Sequence, residues 1–168
     1  ELLAQLQGFA AMKRKLAQMF SKTNLLGEIR GYKNPPDVVV AVTTALLVFL
    51  NVEGFDEYLG ADFRDWPSNL DSLWKFTRKN IILREQDPSN IVRAMTRESK
   101  GLATGDKPLD EPEDVITERV ENVTHLLQKA PKDALERASA QAVNIYDWIE
   151  IACKQKKIEI ALVNLDNH

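Results

Sequence analysis

The stretch GYKNPPDVVVAVTTALLVFL, residues 31–50, decides the fold. A proline lacks an N–H and crowds the turn before it, so a helix arriving from the N-terminal side must stop by about Tyr32 or Lys33. Gly31 stands where a helix terminator is useful. Asn34 is a suitable N-cap for a second helix, Pro35 and Pro36 fit its first turn, and Asp37 adds a negative charge at the positive end of the helix dipole. The run from Val38 to Leu50 has only Thr43 and Thr44 as polar interruptions. It is far shorter than the ~20 residues that a membrane span requires, so it reads as a helix enclosed by protein.

Working outward, Leu2, Leu6, Phe9, Met12, Leu16, Met19, Thr23, Leu26 and Ile29 step by threes and fours. This pattern describes either one strand of a coiled coil or an ordinary amphipathic helix packed on a globule, and the pattern alone leaves both open. Downstream, NVEGFDEYLGADFRD (51–65) reads as an acidic loop. Trp66-Pro67-Ser68-Asn69 restarts a helix with Leu70, Leu73, Trp74 and Ile81 inward. Asp87-Pro88 opens another over Ser89–Arg97. Residues 101–112 carry Gly101, Gly105, Pro108 and Pro112 and read as loop. A helix is predicted over Glu113–Lys129, with Val115, Ile116, Val120, Val123, Leu126 and Leu127 inward. After the break at Pro131, one long helix is predicted from Lys132 to Val163. Beyond Cys153 its pattern continues as a charged, seam-like tail with Ile158, Ile160 and Val163. There is almost no strand signal. The fold class expected is all-α: a small helical globule at the tip of an antiparallel two-helix coiled coil.

Composition narrows the function. The chain of 168 residues is 44% hydrophobic and 28% charged, and its net charge is −3. That is globular rather than disordered, and it carries no overall basicity of the kind nucleic-acid binding demands. The single cysteine, Cys153, excludes an internal disulfide and reads as a small core residue rather than a nucleophile. His125 and His168 have no partners at metal-ligand spacing, so no metal or cofactor is expected. GLATGDKP (101–108) lacks phosphate-loop spacing and follows no strand. Asn122-Val123-Thr124 matches a glycosylation sequon but lies in a predicted helix. No constellation of residues points to an enzyme. The strongest functional candidate is the stretch 75–100, where Lys75, Arg78, Lys79, Arg84, Arg93, Arg97 and Lys100 face only Glu85, Asp87 and Glu98. Such a run is either a solvated helix face or a docking surface for an acidic partner.

Three blocks carry a family resemblance: EIRGYKNPPDVVVAVTTALLVFL (28–50), LDSLWKFTRKNI (70–81) and RASAQAVNIYDWIEIACK (137–154). In that order they resemble the microtubule-binding stalk head of dynein heavy chains. The resemblance implies an outgoing coiled-coil helix at 1–33, a helical head at 34–150 and a return helix at 151–168. It implies tubulin as the partner, with Lys75, Arg78, Lys79, Arg84, Arg93 and Arg97 as lattice contacts. Asn34, Pro35 and Pro36 form the joint that transmits a shift in coiled-coil register to the head. It further implies a monomeric fragment with no membrane or nucleic-acid partner, in the cytoplasm and cytoskeleton. Where cytoplasmic members often carry a lysine, this chain has Val38–Val40. The acidic segment at about 100–129 resembles in position the flap-like insertion of some axonemal members, which points to a divergent or axonemal dynein in a cilium or flagellum. The competing reading is a helical adaptor or scaffold module that dimerises or docks a partner helix.

Overall fold

The computed structural model describes residues 2–23, 29, 31–61, 63–86, 95 and 109–166, with the backbone alone for 19–23, 83–86 and 166. Among these residues the protein is all-helical, without a strand. Its helices are α1 (Leu2–Thr23), α2 (Asp37–Phe49), α3 (Asp56–Leu59), α4 (Leu70–Gln86), α5 (Glu113–Gln128), α6 (Lys132–Ala138) and α7 (Ala140–Asp166).

Helix α2 is the centre. Every residue from Val39 to Phe49 is buried, because α4, α5, α6 and α7 all pack around it. Its two threonines are satisfied without water. The Thr43 hydroxyl donates to the Val39 carbonyl at 2.7 Å, and the Thr44 and Thr77 hydroxyls meet at 3.2 Å between α2 and α4. A buried hydroxyl with a partner avoids the desolvation cost of an unmet one.

The restart differs from the sequence expectation in one detail. The N-cap of α2 is Pro36, at φ −55° and ψ 150°, with no side-chain cap. The Pro36 carbonyl accepts from the amides of Val39 and Val40. Asn34 is therefore not the cap. Pro36 disfavours the helical conformation at Pro35, so both prolines stay outside the helix. The device recurs: α5 and α6 also begin after a proline cap, at Pro112 and Pro131, each with acidic residues in the first turn.

The acidic loop after α2 holds a one-turn helix, α3, that carries Leu59 into the core beside Phe55. Phe55 and Phe76 meet edge to face at 4.9 Å, and Tyr58 lies 5.2 Å from the same Phe76 ring. The acidic segment expected as an insertion is built into the globule where it is described. Ile116, Val120, Val123 and Leu126 of α5 are buried, chiefly against α2. Val115, expected inward, is 41% exposed.

The long closing helix is broken. Ser139 is extended (φ −164°, ψ 119°) and closes α6. Its hydroxyl then accepts the Ala142 amide at 3.3 Å to open α7. One residue thus ends one helix and caps the next.

Helices α1 and α7 pack against each other, but not along the expected apolar line. The buried residues of α1 are Leu6, Ala10, Lys13 and Ala17, while Met12 is 52% exposed. Phe9 and Leu16 are half-buried. Two alanines make room for α7, whose side chains here are large: Trp148 and Ile149 are fully buried. On the far half of α7 the buried residues are Gln155, Lys156 and Glu159 rather than Ile158 and Ile160, which are half-buried. Gln155 donates to Glu159 at 3.0 Å.

Candidate functional site: a basic groove beside the proline joint

Helix α4 turns one face inward and the other to water. Leu73, Trp74, Thr77 and Ile81 are buried, at the threes and fours of an amphipathic helix. The start is fixed by Asn69, whose side-chain oxygen accepts the Asp71 amide at 3.0 Å, so the helix begins three residues later than Trp66-Pro67 suggests. The outward face holds Lys75, Arg78 and Lys79, all exposed.

These three cations line one wall of a 410 Å³ groove, with Trp74 and Ile82 contributing apolar surface. The other wall is Tyr32 and Lys33, the residues just before the prolines. Among the described residues four cations share the groove with one carboxylate, Asp71, which is engaged by Lys75 at 3.1 Å on the exposed helix surface. An adjoining 100 Å³ recess is lined by Lys33, Asn34, Pro35, Val40 and Trp74 among others. The joint and the basic helix are physically tied: the Trp74 indole N–H donates to the Tyr32 carbonyl at 3.2 Å.

The residues expected from sequence thus divide. Lys75, Arg78 and Lys79 come together with the joint. Arg84 lies on α4, its side chain beyond those described; Arg93, Arg97 and Lys100 lie outside the described residues, as do the expected helix over Ser89–Arg97 and GLATGDKP. Sequence reading missed Tyr32 and Lys33 as walls of the site. The available signal was Lys33 itself, a cation directly before the Asn34-Pro35-Pro36 break. Trp74, expected inward, is buried and also lines the groove.

Elsewhere the chemistry is structural. Arg119 forms a hydrogen-bonded ion pair with Glu111, and that bond holds the Glu111 carboxyl below its ordinary range. Burial pushes the Cys153 thiol up to about 12, so it is a neutral, inert group at ordinary pH. Among the described residues no cluster of side chains could hold a metal ion, and no helix is long and apolar enough to cross a membrane. Comparison with protein-family models, with curated proteins and with solved structures returns no match.

Proposed function

We propose that this chain is a microtubule-binding head of the dynein stalk type, in which α1 and α7 form the antiparallel coiled-coil pair and the globule between them binds tubulin. The observation that carries the reading is the shared groove. The residues that would touch an acidic lattice stand on the same cleft as Tyr32 and Lys33, just before the prolines. A change at the joint therefore reaches the binding face directly through Tyr32 and Trp74. Tubulin's surface is acidic, and Lys33, Lys75, Arg78 and Lys79 are its electrostatic complement. The resemblance in the three sequence blocks supports the same partner, and the cellular setting that goes with it is the cytoskeleton, including an axoneme.

The test is co-sedimentation with taxol-stabilised microtubules. Binding is expected at low salt and is expected to fall as salt rises, since exposed charges are screened within about 8 Å at physiological ionic strength. Lys75→Glu and Lys79→Glu should each weaken binding by roughly three- to tenfold. Absence of pelleting at low salt by a protein with intact helical circular dichroism defeats the proposal.

The adaptor reading draws support from Leu3, Met12 and Leu165, large apolar side chains exposed on the two terminal helices. A stable dimer by light scattering at low micromolar concentration, held through those helices, would favour it over a stalk head.

A further inference from the structure

A second cavity lies at the other end of α2 from the basic groove. It measures 540 Å³ and is framed by Val48, the loop 51–56, Phe63 and the outer side of α5. On α2, Val40 borders the recess by the prolines and Val48 borders this cavity, about 12 Å apart along the axis. The floor is apolar: Val48, Val52 and Phe55 are buried there, and Val115 stands 41% exposed at its edge. The apolar face of α5 is thus wider than the core covers. The wall is held in one shape. Asn51 at φ 70° and Phe63 at φ 58° are both left-handed, a conformation that a side chain adopts only where its surroundings impose it. Around the floor stand carboxylates: Glu53 and Asp56 on the loop and Glu118 on α5, all exposed. The one cation among the described residues lining the cavity, Arg119, is already bound to Glu111. Glu118 also borders an adjoining open hollow of 500 Å³ lined by Glu113, Asp114, Thr117 and Glu121, so the acidic surface continues along α5. The cavity lies at the C-terminal end of α2, where the helix dipole adds negative potential.

We propose that this cavity docks a cationic amphipathic segment of a partner protein. One large apolar side chain sits against Val52, Phe63 and Val115, and lysines or arginines beside it face Glu53, Asp56 and Glu118. The occupant follows from the lining. Like charge repels an acidic peptide or a nucleic acid from this rim. A metal ion finds no cluster of donors among the described residues and leaves the floor wet. A second copy of this chain does not fit, because the cations it gathers on α4 line a hollow of their own, and two hollows do not fill each other. Long basic side chains suit such a rim, since their apolar stems lie along the floor while the charged heads stay at the carboxylates near water. The basic groove takes no part, so the inference stands or falls apart from the microtubule proposal.

The test is fluorescence anisotropy on the full chain at low salt, with a short fluorescein-labelled amphipathic helix made only of leucine and lysine as the probe. Saturable binding is expected. Glu118→Lys on α5 and Glu53→Lys on the loop, both exposed positions, should each weaken it by about tenfold, and Val115→Ser by about threefold. Glu136→Lys makes the same charge change at an exposed position on α6 and should leave the affinity within about twofold of the parent. A probe with serine in place of leucine should bind about tenfold more weakly. Helical circular dichroism should be the same for all variants, since each replaces an exposed side chain. Absence of saturable binding overturns the inference. So does equal weakening by Glu136→Lys and Glu118→Lys, which makes net charge the cause, or undiminished binding of the serine probe, which makes the apolar floor irrelevant.

Discussion

Single residues in this protein are decided by their neighbours more than by their type. Gly54 shows how sharply. It adopts φ +104°, and a Cβ placed there would meet the Phe76 ring at 2.8 Å. That ring is pinned between Phe55 and Tyr58 and cannot yield cheaply. Gly54→Ala should lower stability by about 2 kcal/mol in urea unfolding, from the left-handed backbone and the clash together; a change within experimental error would show that the loop simply moves. What could be read at this scale was the enclosed run Val39–Phe49, because hydropathy alone buries eleven residues that only Thr43 and Thr44 interrupt. What could not be read was Lys13, Gln155 and Glu159. Nothing local marks a lysine as buried when the indole it approaches stands on another helix.

At the scale of elements, prolines were reliable punctuation and serine was not. Pro36, Pro112 and Pro131 each stand immediately before a helix, and the sequence placed a break near each of them. Sequence reading ran α6 and α7 together, because Ala138, Ala140 and Ala142 are strong helix formers and one intervening serine is tolerated by the pattern. The break depends on a hydroxyl that competes for a backbone amide, a contact invisible in periodicity. Ser139→Ala should therefore destabilise the protein by about 1 kcal/mol, read from the thermal midpoint. Ser139→Asp, another good capping residue, should restore most of it. Equal midpoints for all three proteins would show that packing, not the cap, sets the break. The groove lies at the same scale: its basic wall was legible as a charge run on α4, but its other wall required knowing that Tyr32 folds back to accept the Trp74 indole.

For the whole molecule, Glu111 contributes at the acid edge of a stability window, and Cys153 contributes at the alkaline edge beside Tyr146 and Lys132, which are also raised. Glu111 has its carboxyl lowered by the Arg119 bond. Its contribution is present above the ordinary carboxylate value of 4.5 and is lost as pH falls through the lowered one. Cys153 is raised from 9.0 to about 12, so its contribution is present below pH 9 and disappears as pH climbs toward 12. Chemical unfolding across pH should show Glu111→Gln reducing the slope of the acid limb and Cys153→Ala reducing that of the alkaline limb, where Tyr146 and Lys132 still titrate, each leaving the other limb unchanged. A parallel shift of both limbs in either variant would contradict the assignment. The all-helical architecture was foreseeable from periodicity, whereas the line along which α1 meets α7 was not, since it is chosen by the bulk of Trp148 and the smallness of Ala10 and Ala17.

Among the described residues, helix α7 has substantial contacts with α1, α2, α5 and α6, whereas the principal partner of α1 is α7. Near its far end, Asn164 of α7 also donates to Glu113 at the start of α5. The two terminal helices are thus mechanically unequal. Tension applied through α1 first peels a single helix from a neighbour that stays put, and reaches the core of the globule only at Leu16 and Ala17. Tension applied through α7 must rupture the packing of four helices at once, so the molecule resists a load on one arm and gives way on the other.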